Sequence, residues 1–283
     1  MSALPDASTR LTCLLGHPVA HSASPAMHNA SFRKLGINAV YLAFDVIRLK
    51  PALEGLRELG ALGCNITVPY KEEVVMLLDL LDERAELIGA VNVVKFGEEV
   101  MGFNTDVDGV KYSLELLEAT GDCALLLGAG GAARAVLAAL QGSFDRVLIA
   151  SRNVNRASAL SDLCLRLGLD CIPIPWEERN RRLAEADLLV NATPLGTGGG
   201  EPPLDLSGLR SGTAVLDLVY NPVETQLVRE ARERGCRAIG GLKMLVRQAA
   251  MSERIWFNVD PDEGLMEEAA LRFLGVGIGG GEG

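Results

Sequence analysis

Short apolar runs alternate with longer amphipathic stretches along most of the chain. The short runs have the length and composition of β-strands, and the longer stretches repeat apolar residues with helical periodicity. Such alternation is typical of βαβ units, which build parallel sheets covered by helices. The pattern therefore predicts an α/β fold.

The first third of the chain contains one set of these elements. Strands are predicted at Leu11–Leu15, Ala39–Phe44 and Cys64–Val68, and helices at Pro25–Leu35 and Leu49–Leu59. The first helix has the usual start and stop signals. Ser24 is the expected N-cap, Pro25 is at the first helical position, and Gly36 follows the end of the helix.

A second set begins near residue 122. Its strands are predicted at Cys123–Leu127, Arg146–Ala150, Asp187–Asn191, Ala214–Leu218 and Arg237–Ile239, and its helices at Ala132–Leu140, Arg156–Leu167 and Thr225–Arg234. A helix over Val107–Leu117 links the two sets, and the helices Leu242–Phe257 and Glu263–Phe273 need a surface on which to pack. We therefore predict one domain from residues 1–106 with 242–283, and a second from residues 107–241. The glycine-rich end, residues 275–283, is expected to be a mobile tail.

The amino-acid composition argues against nucleic acid and membranes as binding partners. The net charge is −10 and the pI is near 4.9, which opposes the basic surface that nucleic-acid binding requires. No apolar run is long enough for a membrane span, and the first residues lack the pattern of an export signal. We expect a soluble cytoplasmic protein that binds neither nucleic acid nor membrane.

The cysteines and histidines give little sign of metal binding. Six cysteines are scattered without a C-x-x-C pair, so we expect buried reduced thiols rather than a disulfide or a zinc site. All three histidines lie between His17 and His28, but glycine and proline interrupt that segment, so no single helix face presents all of them. We expect no metal.

A glycine-rich turn predicts the clearest binding site. The apolar run Cys123–Leu127 leads directly into a G-x-G-x-x-A sequence and then a helix, which is the context of a Rossmann dinucleotide site. The first glycine permits the tight turn, the second lets a pyrophosphate approach the backbone, and the helix N-terminus offers N–H groups to the phosphates. The predicted cofactor-binding residues are Gly128, Ala129, Gly130, Gly131 and Ala132.

The end of the following strand indicates which dinucleotide is bound. An NAD site usually has a carboxylate there for the ribose 2′-hydroxyl, whereas this chain has Ser151, Arg152 and Asn153, followed by Arg156. Two guanidinium groups suit a 2′-phosphate, so NADP(H) is the predicted cofactor. The alternative interpretation is that these arginines only begin a solvated helix.

Several polar segments follow apolar strands, where α/β folds place ligand sites. They lie at 16–29, 65–71, 89–92, 102–109, 191–194, 217–222 and 241–249. Taken in this order, with the glycine-rich turn, they closely resemble the shikimate dehydrogenases over nearly the whole chain. The resemblance implies reversible NADP-dependent reduction of 3-dehydroshikimate to shikimate in the chorismate pathway to the aromatic amino acids. It also makes residues 1–106 with 242–283 the substrate-binding catalytic domain and residues 107–241 the NADP-binding domain.

The resemblance also implies roles for single residues. Ser22 and Ser24 would bind the substrate carboxylate, and Thr67, Asn92, Asp106 and Gln248 the ring hydroxyls, with Tyr220 near the substrate. Thr193, Gly241 and Met244 would contact the cofactor. Lys71 and Asp106 would form the catalytic pair, which their distance apart in the sequence could not indicate.

Two alternatives to shikimate dehydrogenase activity stay open at this point. A relative acting on quinate or an amino analogue would share the fold, although Ser24 resembles the shikimate-specific members. The family usually has Asn-Arg-Thr where this chain has Ser151-Arg152-Asn153, which weakens the cofactor assignment. A catalytically silent NADP-sensing module is the second alternative, which the presence of both Lys71 and Asp106 disfavours. A homodimer is one assembly to test.

Overall fold

Two compact units make up the chain in the computed structural model, which describes residues 4–276. Unit one contains the residues up to Thr105 and those from Val246 onward, and unit two is the intervening Asp106–Leu245. The predicted α/β class is confirmed, because each unit has a six-stranded sheet with helices.

The elements alternate in chain order. The strands are β1 Arg10–Gly16, β2 Ala39–Asp45, β3 Gly63–Ile66, β4 Leu80–Leu81, β5 Val93–Lys95, β6 Met101–Phe103, β7 Cys123–Leu127, β8 Arg146–Ser151, β9 Asp170–Pro175, β10 Leu188–Asn191, β11 Ala214–Asp217 and β12 Arg237–Ile239. The helices are α1 Ser24–Leu35, α2 Leu49–Glu58, α3 Glu83–Ile88, α4 Asp106–Leu116, α5 Gly131–Leu140, α6 Val154–Ser158, α7 Ser161–Leu167, α8 Arg179–Arg182, α9 Gln226–Glu233, α10 Leu242–Phe257 and α11 Glu263–Phe273.

The sheet of unit one is mixed, with the order β2-β1-β3-β5-β6-β4. β1 runs parallel to β2 and β3, whereas β5 is antiparallel to both of its neighbours. Register pairs Asn65 with Val93, and Val93 with Phe103. The end of β3, the start of β5 and the end of β6 therefore meet at one edge of the sheet.

The core of unit one lies on both faces of this sheet. Side chains alternate along β1, so Cys13 and Leu15 pack in one apolar cluster and Leu14 in another, with Tyr41 and Trp256. The Trp256 indole N–H donates to the Val94 carbonyl at 3.0 Å, and α11 packs on α1. The chain from Val246 onward thus completes the core that the first residues begin.

The sheet of unit two is parallel throughout, in the order β12-β11-β10-β7-β8-β9. Its buried strands bring Leu125, Leu189 and Val215 into one apolar cluster with residues of α9. The strand order reverses between β7 and β10, and such a switch point is where open α/β sheets bind their ligands.

Local predictions differ from the structure at two helices. Ser24 is the first residue of α1 rather than its cap; the N-cap is Ala23, which makes no side-chain capping bond. The single helix expected over Arg156–Leu167 is two, α6 and α7, because the chain turns at Ala159 and Leu160. The predicted end of α1 is confirmed, since Gly36 has a φ of 67°.

The cysteine prediction is wrong for one pair. Cys164 on α7 and Cys171 on β9 form a disulfide with Cα atoms 6.0 Å apart. The short segment between them, residues 165–170, brings the chain out of α7 and directly into the edge strand, which places the two sulfurs together. Cys13, Cys64, Cys123 and Cys236 are free and buried, as expected.

Other features concern only residues 4–276. Within them, no helix is long and apolar enough to cross a membrane, and no group of His, Cys, Asp and Glu residues is arranged to hold a metal ion. Most of the predicted mobile tail, residues 277–283, lies outside the described residues.

Candidate active site

The turn between β1 and α1 places two serines at the polar edge of unit one. Ser22 and Ser24 are 8% and 6% exposed, and the Ser24 N–H donates to Ser22 Oγ at 3.2 Å. Ser22 is held by its own N–H, which donates to the Val19 carbonyl at 3.0 Å. Two buried hydroxyls therefore point from a fixed turn, which suits binding of a small polar group.

The segment after β3 carries Thr67 and Lys71. The Thr67 N–H donates to the Leu15 carbonyl, and the Lys71 carbonyl accepts from the Val91 N–H at 2.8 Å. Between them, the Tyr70 hydroxyl donates to the Val46 carbonyl at 2.6 Å. These bonds fix the backbone at both ends of the segment, so the half-buried Lys71 side chain starts from a defined position.

A buried hydrogen-bond cluster joins Asn92 and Gln248. Asn92 Nδ2 donates to Gln248 Oε1 at 3.1 Å and to Thr105 Oγ1 at 2.9 Å, and Asn92 Oδ1 accepts from the Thr105 N–H at 2.8 Å. Thr105 Oγ1 in turn donates to the Gln248 carbonyl. The structure thus brings two predicted substrate residues together and adds Thr105, which sequence reasoning missed although it lies in a quoted motif.

Two further polar residues of the site were not predicted. The Tyr41 hydroxyl donates to Asn65 Oδ1 at 2.7 Å. Asn65 Nδ2 donates to the Asn92 carbonyl and to Ser252 Oγ, both at 3.0 Å. Burial raises the pKa of Tyr41 well above its ordinary value, so the phenol stays a neutral donor. Asn65 lies in the polar segment 65–71 but was given no role there, and the sequence gave no sign of a role for Tyr41.

In unit two the glycine-rich turn has the geometry that a pyrophosphate needs. Gly128 has a φ of 110°, and a Cβ there would lie 2.9 Å from the Ala192 carbonyl oxygen. At Gly130 a Cβ would point into open space, so the backbone is accessible on that side. α5 begins at Gly131 without a side-chain cap, which leaves its first N–H groups available to an anion. Ala129 and Ala132 complete the half-buried turn, which fits a dinucleotide.

The loop after β8 carries the predicted 2′-phosphate residues. Ser151 is buried, and its Oγ accepts from the Asn153 N–H at 3.2 Å. Asn153 Oδ1 accepts from the Arg156 N–H at 3.3 Å and so caps α6. The Arg152 and Arg156 residues are exposed beside this ordered loop. The Asn153 cap fits the interpretation that this segment only begins a helix. The exposure of Arg152 and Arg156 fits the interpretation that it binds a 2′-phosphate.

A buried carboxylate orders the neighbouring strand ends. Asp217 accepts from Asn191 Nδ2 at 2.9 Å, from the Val219 N–H at 3.1 Å and from the Thr225 hydroxyl at 2.6 Å. Asn191 Oδ1 accepts from both the N–H and the hydroxyl of Thr193. Thr193, a predicted cofactor residue, is therefore held next to Gly128, with its Cγ2 3.3 Å from a Cβ at that glycine.

The start of α10 carries the last predicted contacts in unit two. A Cβ at Gly241 would lie 2.2 Å from the Leu218 carbonyl oxygen, and Met244 is 8% exposed. Met244 packs against Gly109 on α4, a helix that begins at the buried Asp106. Tyr220 is half-buried after β11. Lys71 belongs to unit one and Asp106 to unit two, so their pairing stays a prediction.

A parallel sheet with a glycine-rich turn at its switch point, in one chain with a buried polar site, defines an α/β dehydrogenase that uses a nicotinamide dinucleotide. The model of the shikimate dehydrogenase substrate binding domain matches residues 14–94, and that of the shikimate 5′-dehydrogenase C-terminal domain matches residues 241–271. A shikimate dehydrogenase (NADP(+)) of Methanopyrus kandleri is 44% identical, over 95% of this chain and 97% of its own. This chain belongs to the shikimate dehydrogenase family, and the predicted resemblance is confirmed.

Solved structures agree with this family. A shikimate dehydrogenase in complex with NADP+ has a TM-score of 0.88 and 37% identity, over 96% of this chain and 98% of its own. A quinate dehydrogenase from Corynebacterium glutamicum in complex with NAD has a TM-score of 0.86 and 34% identity, over 93% and 99% of the two chains.

Proposed function

We propose that this protein catalyses the reversible, NADP-dependent reduction of 3-dehydroshikimate to shikimate. The observation that carries the proposal is the buried polar edge of unit one, where Asn92 and Gln248 are hydrogen-bonded and the serines lie in a fixed turn. A site built from buried donors and acceptors selects a ligand whose hydroxyls satisfy all of them, and it rejects one that lacks a hydroxyl.

The polar groups divide between the two ends of such a substrate. Ser22 and Ser24 are assigned to the carboxylate, because hydroxyl donors on a fixed turn suit an anion. Thr67, Asn92, Asp106 and Gln248 are assigned to the ring hydroxyls, and Tyr220 to a contact near the substrate. Residues 1–106 with 242–283 form the substrate-binding domain in this proposal, and residues 107–241 the cofactor-binding domain.

Lys71 is assigned the proton transfer. Reduction of a ketone leaves negative charge on its oxygen, which an ammonium group stabilises while it donates the proton. In the oxidative direction the same amine accepts the proton. Asp106 would orient that ammonium by hydrogen bonding to it.

NADPH supplies the hydride when it is bound. The turn Gly128–Ala132 and the N-terminus of α5 would hold its pyrophosphate, and Ser151, Arg152, Asn153 and Arg156 its 2′-phosphate. Thr193, Gly241 and Met244 are assigned to further contacts with the cofactor.

The test is nicotinamide absorbance with purified protein, pairing NADP+ or NAD+ with shikimate or quinate. We expect efficient reduction only of NADP+ by shikimate. Arg152→Ala should raise the KM for NADP+ roughly tenfold while changing that for NAD+ little, because a guanidinium–phosphate contact contributes about 1.5–3 kcal/mol. Arg146→Ala, on the other end of β8, is the matched control.

Lys71→Ala tests the mechanism in the same assay. We expect kcat to fall by about 10²–10⁴-fold, the usual contribution of a general acid or base. Full turnover by this variant would remove Lys71 from the mechanism. Absence of turnover by the unaltered protein with every pair, together with NADP+ binding, would favour the silent sensing module.

Quinate dehydrogenation with NAD is the second candidate. It is favoured by the similarity to the quinate dehydrogenase of Corynebacterium glutamicum, whose TM-score nearly equals that of the shikimate enzyme. Ser24 and the absence of a carboxylate from residues 151–156 argue against it. Turnover only with quinate or NAD+ would establish it.

The remaining assignments are a cytoplasmic location and a homodimer. The location rests on the resemblance and on composition, whereas no feature of the sequence indicates the assembly. Light scattering on the purified protein decides the assembly, because a monomer of 30.1 kDa and its dimer differ twofold in mass.

A further inference from the structure

A histidine and a glutamate, neither of which is assigned to the substrate, are paired in the core of unit one. His28 Nδ1 lies 2.7 Å from Glu253 Oε1, and both side chains are 0% exposed. The Ser31 hydroxyl donates to Glu253 Oε2 at 2.6 Å. Each carboxylate oxygen of Glu253 thus has a partner in the core.

Burial of this pair opposes folding, because both side chains lose their contact with water. His28 Nε2 is buried and has no hydrogen-bond partner within residues 4–276. Taking a carboxylate out of water costs several kcal/mol, and well-packed apolar residues often replace such a pair without loss of stability. Packing alone therefore does not explain why the chain carries a polar pair at this place.

The pair contacts the site through an aromatic ring. The imidazole of His28 is stacked on the ring of Tyr41, with centroids 4.2 Å apart and planes inclined by 17°. The Tyr41 hydroxyl donates to Asn65 Oδ1, and the Ser24 side chain is close enough to oppose the rise in the pKa of the phenol. Movement of the imidazole would thus displace a hydroxyl that holds Asn65 and lies near Ser24.

Both partners also lie on helices that carry substrate residues. His28 is one turn after Ser24 on α1, on the same buried face. Glu253 is five residues after Gln248 on α10, next to Ser252, which donates to the Gln248 carbonyl at 2.9 Å. The bond between His28 and Glu253 therefore ties the Ser24 end of the site to its Gln248 end.

We propose that His28 and Glu253 are positioning residues for substrate binding, which fix the Tyr41 ring and through it Asn65 and the surroundings of Ser24. This inference rests on the proposed function, because it takes Ser24 and Gln248 as substrate-binding residues. Neither residue of the pair contacts substrate or exchanges a proton with it. Their effect is on the affinity for the substrate rather than on the reacting atoms.

The first test is Glu253→Gln, which keeps the shape and removes the charge. We expect the KM for shikimate to rise about tenfold, the effect of losing one charge-assisted hydrogen bond. The kcat and the KM for NADP+ should stay within about twofold, because the assigned cofactor residues lie in unit two. A purely structural role would lower the melting temperature and leave the KM for shikimate unchanged.

A second variant covers the outcome in which Glu253→Gln does not fold. The double variant His28→Leu with Glu253→Met replaces the pair by apolar side chains of similar volume, which preserves stability in comparable cores. Leu53→Ala, in the other apolar cluster of unit one, is the matched control: it should lower the melting temperature and leave the KM for shikimate unchanged.

A double-mutant cycle tests the route through Tyr41. If the pair acts through this ring, Glu253→Gln should add little to the KM for shikimate in a Tyr41→Phe background, and fully additive effects would contradict the route. Folded pair variants with an unchanged KM for shikimate would overturn the inference while the unaltered enzyme still turned over. Failure of the unaltered protein to use shikimate would overturn the proposed function, and this inference with it.

Discussion

Asp217 shows what a single buried charge does to unit two. Its side chain is 0% exposed, and burial raises its pKa, an effect that the hydrogen bonds from Thr225, Val219 and Asn191 only partly offset. A carboxyl group with a raised pKa in the folded state stabilises the fold most when protonated. This contribution to the free energy of unfolding is complete below the ordinary carboxyl pKa of about 4. It is lost as pH rises through the pKa that Asp217 has in the folded protein.

Asp217→Asn should therefore change how stability depends on pH. The amide cannot ionise, so the free energy of unfolding of the variant should increase relative to that of the unaltered protein as pH rises above about 4. Urea unfolding at a series of pH values measures the difference. A difference that is constant with pH would show that Asp217 does not titrate differently on folding.

At the scale of elements, α4 and α10 approach so closely that only glycine fits between them. A Cβ at Gly109 would lie 2.6 Å from the Met244 carbonyl oxygen and 2.8 Å from its Cγ. We expect Gly109→Ala to displace the start of α10, destabilise the protein by about 1–3 kcal/mol and raise the KM for NADP+.

Gly55→Ala is the matched control for that variant. Gly55 lies inside α2, and a Cβ there would meet nothing within 4 Å. The substitution should stabilise the protein by about 0.4–1 kcal/mol without changing the KM for NADP+. Equal effects of the two alanines on the KM would refute the role given to the α4–α10 contact.

The sequence predicted those elements whose periodicity is strong. Most of the long strands and helices of both units, and the turn at Gly128, follow from local patterns. The six-residue strand β9 was not predicted, because Pro173 and Pro175 interrupt its strand pattern. The short strands β4, β5 and β6 were missed, because two or three residues carry no measurable period. The disulfide was missed because only the fold brings the end of α7 to β9.

The candidate site was predictable only in part, because its hydrogen bonds join segments that only the fold brings together. Ser22, Asn92 and Gln248 were predicted through motifs, whereas the hydrogen bonds of Asn92 and Gln248 depend on tertiary contacts between distant segments. Tyr41 and Glu253 gave no signal at all: a tyrosine in a strand pattern predicts core packing, and a glutamate in an amphipathic helix predicts solvent exposure.

At the scale of the whole molecule, each unit has its own apolar core. We therefore expect two calorimetric transitions, with NADP+ raising the melting temperature of one and shikimate that of the other, since a ligand stabilises the unit that binds it. Leu189→Ala should lower the transition that NADP+ raises, and Leu53→Ala the other. A single transition that both ligands raise equally would mean that the units unfold as one.

Unit one is discontinuous in the chain, with Gln248, Ser252, Glu253 and Trp256 all following unit two. A ribosome makes these residues last, and domains generally fold as units during synthesis. Unit two can fold as soon as it has emerged. Unit one must wait, with its sheet incomplete on the Trp256 side, until α10 is released. A chain truncated after Leu245 and released from the ribosome should therefore hold a folded unit two and an unfinished unit one.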